Sequence, residues 1–455
     1  MWPLNRLPSR FLTPRGWGFI LAAALILLLA QILGRRDLLH LGFLAAALPL
    51  VSLLGLRLLK PRFTVRRVFS PPTMATGSTT TVHLTLSSFG TLPGAVAMVE
   101  DLPARFGEAP RFSFPARHLT RSGESLYRYR LRCSLRGAYE VGPVSAEFTD
   151  TFGLGTLRHR LGPVSGLLVT PSPLDLPHAA QPGTWSAEGS EPTRTLANPS
   201  NDDVMTREYR HGDSLRRVHW AASARHNELM VRQEEAAATP AATLVMDQRQ
   251  GSFEAGTPAP LGAEAGSEGN GLLSSPAFEW AVTAVVSISA HLLESRYALR
   301  FLDQHSLPAV RRCPSAPLPD EEEYQGPGSL QDIADGLATL QLDTEAGSRA
   351  FDDAALDRLA AGRRRGPLIA VLGSLSTEEA VSLGTAAAEG LVAYAIMVTE
   401  RPGSVQEQLD VLRSAGWYAA AASPETDLAA LWASLGQAAD DVVVGSAPAL
   451  PEAPS

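Results

Sequence analysis

A chain of 455 residues, 45% apolar and 19% charged, has material for about three domains, each able to bury a core. Of its 39 basic residues only Lys60 is lysine, so no later lysine exists to grip a nucleotide phosphate or to form a pyridoxal Schiff base. Two cysteines, Cys133 and Cys313, exclude a four-cysteine zinc or iron–sulfur site and give no disulfide framework.

The net charge of −8 is unevenly spread. Residues 1–67 carry ten basic side chains against one acid, and residues 251–455 carry eleven against twenty-eight. A phosphate backbone selects a basic face, so the acidic distal half argues against nucleic acid as the main partner. The basic N-terminus argues for a membrane surface. Gly16–Gly34 has no charge and at 1.5 Å per residue is long enough to cross a bilayer. Leu38–Leu56 is a second apolar run, and the short link Arg35-Arg36-Asp37 forces the two to run antiparallel. This predicts a two-helix transmembrane anchor over residues 1–60. Arg6, Arg10 and Arg15 precede it, and Arg57, Lys60, Arg62, Arg66 and Arg67 follow it. The positive-inside rule then puts both termini in the cytoplasm, at the inner or plasma membrane. Gly34-Arg35-Arg36 is a poor cleavage site for a signal peptide.

Residues 61–175 change period to two. In Thr79–Leu86, Val82, Leu84 and Leu86 share a face. In Ser125–Leu135, Tyr127, Tyr129, Leu131, Cys133 and Leu135 face inward, while Arg128, Arg130 and Arg132 face solvent. Short strands punctuated by Pro and Gly predict a β-sandwich of immunoglobulin-like type. Residues 176–200, rich in Pro, Gly, Ser and Thr, read as a linker.

The densest motif is Arg207–Glu235. Asp213 or Ser214 caps a helix reaching about Arg225, Asn227 stops it, and Leu229–Arg232 begins a strand. Arg207, Arg210, Arg216 and Arg225, oriented by Glu208 and Asp213, form either an anion or partner site or an internal arginine–carboxylate network; the internal network is the favoured reading. A metal or catalytic cluster of His211, Asp213, His219 and His226 is disfavoured, because His219 and His226 lie two helical turns apart.

Arg207, Glu208, Tyr209, Gly212, Asp213, Arg216, Trp220, Ser223, Ala224 and Arg225, followed by Glu234 and Glu235, resemble the signature of the domain-of-unknown-function 58 family. "RGAYEVGP" (Arg136–Pro143) and "DTFGL" (Asp150–Leu154) extend the resemblance over most of the chain. It implies a membrane-anchored protein with a von Willebrand factor A-like domain, frequently encoded beside MoxR-type AAA+ ATPases. It implies no established chemistry.

The remainder alternates strands and helices. Strands are expected at Thr243–Asp247, Tyr297–Leu302, Leu368–Leu372 and Val392–Val398. Helices are expected at Ala277–Ser295, Leu330–Leu340, Ala354–Ala361, Thr377–Ala388, Val405–Ala415 and Leu428–Ala438. This predicts an α/β, Rossmann-like domain within 201–440, with a flexible insertion at 251–276 and a disordered tail at 441–455. The resemblance implies a Mg²⁺ site, but Arg249 and Gly251 stand where serines are needed after Asp247. The site therefore reads as a degenerate metal-ion-dependent adhesion site, with neither metal nor cofactor. The expected role is a non-enzymatic, membrane-tethered interaction protein, with a MoxR-type ATPase as the implied partner. The alternatives are a hydrolase using His211 and Asp213, which lacks any visible nucleophile pairing, and a cell-envelope structural factor of opposite topology.

Overall fold

The computed structural model describes residues 12–58, 62–89, 96–115, 124–177, 206–209, 218, 220–226, 228–232, 240–253, 259–261, 271–344, 349–361, 366–387 and 392–445. Two apolar helices come first, α1 (Pro14–Leu33) and α2 (Arg36–Leu58). Thr13 caps α1, its Oγ1 accepting from the Gly16 amide at 3.1 Å. Gly34 ends the helix at φ +62°, a conformation that glycine adopts without Cβ strain. The link is shorter than the sequence suggests: Arg36 and Asp37 already belong to α2, and an acid in a first turn suits the helix dipole. Large apolar side chains point outward along both helices, among them Leu21, Ile32, Leu50 and Val51. Length, composition and this exposed surface make the pair compatible with a membrane anchor.

A two-layer β-sandwich follows. Its strands are β1 (Arg62–Ser70), β2 (Thr73–Ala75), β3 (Thr79–Phe89), β4 (Val96–Glu100), β5 (Arg111–Phe114), β6 (Ser125–Arg132), β7 (Gly137–Val141), β8 (Val144–Thr149), β9 (Thr156–Leu161) and β10 (Ser165–Thr170). One layer is the antiparallel sheet β1-β3-β6. The other is β5-β4-β8-β9, extended by β2-β10-β7. Alternation sets what is buried: Val82, Leu84 and Leu86 of β3 are sealed in the core, while Arg128, Arg130 and Arg132 of β6 are exposed. Leu56 of α2 packs into the same core beside Val65, Met98 and Phe148.

Strands β7 to β10 amount to one long hairpin. Thr149 faces Thr156 beside its turn, and Gly137 faces Val169 at its open end. At about 3.3 Å per residue each arm spans roughly 40 Å. The hairpin kinks at Gly142-Pro143, where Arg67 sits. Arg67 Nη1 donates to the Pro163 carbonyl at 3.1 Å and to Ser165 Oγ at 2.8 Å, and the guanidinium pairs with Glu100. Burial pushes the Glu100 carboxyl above its usual range despite that partner. Gly142 has φ +93°, and a Cβ there would stand 2.4 Å from Arg67. The sequence groups Arg67 with the basic cluster after the second helix. It turns inward instead, because position 67 shares the inward face of β1 with Val65 and Phe69.

Beyond residue 200, β11 (Thr206–Glu208), α3 (Trp220–His226) and β12 (Met230–Arg232) form a small unit in which β11 and β12 pair antiparallel. The α/β domain then runs β13 (Ala241–Met246), β14 (Ala259–Leu261), β15 (Leu272–Ser274), α4 (Pro276–Glu294), β16 (Ala298–Asp303), β17 (Glu323–Tyr324), α5 (Ser329–Ala338), α6 (Asp353–Ala361), β18 (Leu368–Leu372), α7 (Thr377–Gly384), β19 (Ala393–Val398), α8 (Gln406–Ser414), β20 (Trp417–Ala422) and α9 (Leu428–Gly445). Among the described residues its main sheet has the order β17-β16-β13-β18-β19-β20, parallel throughout except for β17 at one edge. A hydrophobic core covers each face, so central strands such as Leu368–Leu372 are buried at every position and read as unbroken apolar runs. Helix α4 is also apolar and long enough to cross a membrane, but 67% of its most apolar stretch is buried, and its apolarity serves this core.

The sequence reading misses β11, β17 and β20. The first two are too short for a period. In β20 the run Trp417-Tyr418 followed by four alanines lacks the β-branched residues that signal a strand. Helix α9 continues to Gly445, beyond the expected start of the tail. The described residues of the insertion take regular structure: a 3₁₀ turn at Gln250–Ser252 leads to buried Phe253, and β14 pairs with β15. Residues 254–258, 262–270 and most of the expected linker lie outside the described residues.

Candidate functional site

Open α/β sheets bind ligands at the carboxyl ends of their strands, where the strand order reverses. Here that point lies between β13 and β18. Asp247 directly follows β13 and is fully buried. The Arg249 guanidinium folds back onto it, Nε to Oδ1 at 3.0 Å and Nη2 to Oδ2 at 2.9 Å, while Arg249 Nη1 reaches Glu379 Oε1 at 2.6 Å. Glu379 is the third helical residue of α7, and its other oxygen accepts from the Ser376 amide at 3.0 Å, completing a capping box. Burial would raise the Glu379 pKa, but amide bonds from Ser376 and Ala350 and the Arg249 charge together hold it below the usual range. The same two carboxylates keep Arg249 firmly charged against its burial.

Both Asp247 oxygens thus face an internal cation. A divalent ion does not fit, because it would have to share the carboxylate with a fixed positive charge. The crevice itself is also filled. The Ser252 carbonyl accepts from the Ser374 amide at 2.7 Å, and a Cβ on Gly373 would stand 2.4 Å from that same carbonyl. The 3₁₀ turn therefore plugs the switch point from within.

A second cluster joins the two domains. Arg136, just before β7, is 2% exposed. It grips Glu279 of α4 with both arms, Nε to Oε2 at 3.0 Å and Nη2 to Oε1 at 2.8 Å. Its Nη1 donates to the carbonyls of Leu337 and Leu340, each at 2.6 Å, at the negative end of α5. The Phe278 ring lies beneath the guanidinium, 5.9 Å from Cζ. Nearby, the Leu174 amide bonds Ser287 Oγ at 2.9 Å, and Leu176 enters the α/β core.

The two clusters share a strip of chain, 340–343. Arg136 holds the Leu340 carbonyl. Three residues on, the Asp343 amide donates to the Gln248 carbonyl at 2.8 Å, and the Gln250 amide donates to the Asp343 carbonyl at 3.0 Å. A cavity of about 260 Å³ flanks the strip, lined by Gln248, Arg312, Cys313, Leu342 and Asp343. Burial pushes the Cys313 thiol up to about 12, which makes it inert.

Of the motif residues, Arg207 and Glu208 lie in β11 opposite Val231 and Met230, and Tyr209 N donates to the Leu229 carbonyl at 2.8 Å. Ser223 Oγ accepts from the Met230 amide at 2.8 Å, tying α3 to β12. Trp220 is 69% exposed, and Arg225 is exposed. His211, Gly212, Asp213, Arg216, Glu234 and Glu235 lie outside the described residues, as do the side chains of Arg207 and Glu208.

Residues 205–259 match the model of the family described as "Protein of unknown function DUF58". The matched segment runs from β11 through Asp247 and the plug to the start of the β14–β15 hairpin, so it contains Arg249 and Ser252 as well as the arginine motif. No curated protein matches the chain. Among solved structures, similarity extends to the CARDB domain of a Pyrococcus furiosus protein in complex with di-metal ions (12% identity, 25% of this chain and 96% of that one, TM-score 0.18). It extends also to the Pseudomonas fluorescens alkylpurine DNA glycosylase AlkC bound to DNA (17% identity, 28% and 36%, TM-score 0.16). A third is a putative β-galactosidase from Bacteroides fragilis (11% identity, 79% and 38%, TM-score 0.14). Superpositions this weak carry no weight for fold or function.

Outside the DUF58 match, Arg136 and Glu379 are the residues that sequence reasoning passes over. Glu379 carries a readable signal, the Ser376-x-x-Glu379 capping pattern before an apolar helix. Arg136 has none beyond its place in "RGAYEVGP", since its partners come from α4 and α5, more than a hundred residues away.

Proposed function

We propose that this protein is a membrane-tethered adaptor: the helix pair anchors it with both termini in the cytoplasm, and its α/β domain engages a protein partner without catalysing a reaction. The carrying observation is the switch-point crevice filled by the chain's own Arg249 and Ser252, which leaves a domain of ligand-binding architecture with its ligand position taken. The mainly parallel sheet, with an aspartate at the end of β13, supports a von Willebrand A-like reading with a degenerate metal site. The DUF58 match and the implied gene neighbourhood favour a MoxR-type AAA+ ATPase as partner, used in assembling or maturing a further protein. ATP-driven work of the Walker type falls to such a partner, since this chain has no lysine after Lys60. Affinity purification of the tagged full chain from native membranes tests this. Recovery of an AAA+ ATPase that survives a high-salt wash is the expected outcome. Repeated recovery of the chain alone, after crosslinking as well as without it, overturns the reading.

A further inference from the structure

The six-residue turn of the long hairpin, Asp150–Gly155, is tied by its own hydrogen bonds and bonded to the start of the first helix. The Asp150 carboxylate accepts from the amides of Phe152, Leu154 and Gly155 at 3.1, 2.7 and 2.7 Å. These bonds, together with the Ser52 hydroxyl of α2, outweigh its desolvation and hold the group below the usual carboxylate range. Gly153 takes φ +67°. The turn then docks on the residues that start α1: Thr13 Oγ1 donates to the Gly153 carbonyl at 2.5 Å, and the Thr13 amide donates to the Leu154 carbonyl at 2.9 Å. Gly16 presses so closely that a Cβ would stand 2.2 Å from the Leu154 oxygen.

Phe152, at the tip, is 63% exposed. An apolar ring on a turn fixed by three amide bonds is not there to fill a core. Its level is set by the docking. Helix α1 has 20 residues, a length of about 30 Å, which matches the hydrocarbon thickness, so its first turn stands at the boundary of the hydrocarbon. Phe152 is held at that first turn. Trp17, one turn into α1, is 56% exposed at a similar level, and the exposed Arg15 guanidinium reaches to within 3.8 Å of where a Cβ on Gly153 would stand. Aromatic rings beside arginine are the composition of a bilayer interface.

We propose that Phe152 is a lipid-contacting peg: the sandwich rests on the membrane through this turn, with the ring in the headgroup region beside Trp17. The proposal rests on the reading of α1 and α2 as a membrane anchor. Continuity with α1 selects lipid as the occupant, because whatever covers the start of α1 also covers the turn bonded to it.

The test uses the full chain in vesicles of phosphatidylcholine and phosphatidylglycerol. Single cysteines at Phe152→Cys, Leu25→Cys and Leu318→Cys are labelled with an environment-sensitive fluorophore; native Cys133 and Cys313 are buried and do not compete. Leu25 lies exposed in α1, and Leu318 lies exposed on the α/β domain. The expected result is a blue shift and loss of emission with headgroup-proximal spin-labelled lipid at position 152, the same with deep label at 25, and neither at 318. A probe at 152 that behaves like 318 while 25 is quenched overturns the peg and leaves the anchor standing. A probe at 25 that is also unquenched overturns both. Phe152→Leu, labelled at Trp17→Cys, guards against a local effect of the first substitution: the peg requires the Trp17 probe to keep its depth.

Discussion

Arg249 and Arg136 are single side chains on which separate parts of the molecule depend. Arg249 is held by two buried carboxylates, and Arg136 by one carboxylate and two backbone carbonyls; removing one partner of a buried pair leaves an uncompensated charge. Arg249→Ala should cost about 3–5 kcal/mol at neutral pH on that ground, measured by thermal unfolding of the full chain in detergent. The pH dependence has a definite sign. In the native protein the depressed Glu379 pKa adds stability that is complete above the usual carboxylate range and fades as pH falls through the depressed value. In Arg249→Ala the Glu379 carboxylate keeps the Ser376 and Ala350 amides but loses the guanidinium, so less of that stability is gained as pH rises. The two melting curves should therefore converge toward pH 4 and separate toward pH 7. A constant gap between them would show that Arg249 acts through packing alone. Arg136→Ala removes both bonds to a partly exposed Glu279, and because its partners lie across a domain boundary it should expose 170–177 to protease. Arg136→Lys should not restore protection, since an ammonium cannot hold Glu279 with two parallel bonds.

At the scale of elements, the placement of α1 on the sandwich depends on a missing side chain. Gly16→Val puts a Cβ within 2.2 Å of the Leu154 carbonyl oxygen. It should break the Thr13 bonds without unfolding the sandwich, whose two core clusters are built mainly from its strands. The expected outcome is an unchanged sandwich melting transition with a broadened spin-label distance between α1 and β9. A distance as narrow as in the parent would refute the role of Gly16. Elements with long apolar runs or clear alternation were legible before any coordinates: α1, α2, β3, β6, α4, β18 and β19 fall within a few residues of their expected ends. The candidate site was legible in only one of its parts. Asp247 with Arg249 is a local pattern, and reading a cation against the metal needs no fold. The plug at Ser252 and the grip of Arg136 depend on contacts between distant segments, which no local period encodes. The inward turn of Arg67 was available from alternation but hidden by the charge count, which treats every arginine near a membrane segment alike.

At the scale of the molecule, the motifs of the resemblance occupy the two ends of one object. "RGAYEVGP" begins at the open end of the β7–β10 hairpin, where Arg136 meets the α/β domain. "DTFGL" forms the closed end, which meets α1. The segment matched by the family lies beyond both, in the β11–α3–β12 unit and the start of the α/β domain, and strip 340–343 brings the grip of Arg136 within three residues of the plug. A change at the crevice and a change at the domain boundary thus pull on the same short piece of chain, and double substitution of Arg136 and Arg249 should be non-additive if the strip couples them. Additive losses would make them independent anchors.

The hairpin is also a ruler. Its arms are paired residue for residue on either side of the kink, so its length fixes how far the α/β domain stands from whatever holds α1. Removing two residues from each arm between the kink and the turn would shorten that standoff by about 6–7 Å and keep every inward residue inward. Removing one from each would shorten it by half as much, but would turn the faces of the distal halves over and destroy the core. Among relatives, if partner reach is what matters, hairpin lengths should differ in matched pairs of two, and a partner that must meet both the bilayer and the α/β domain would have to change its own height in step.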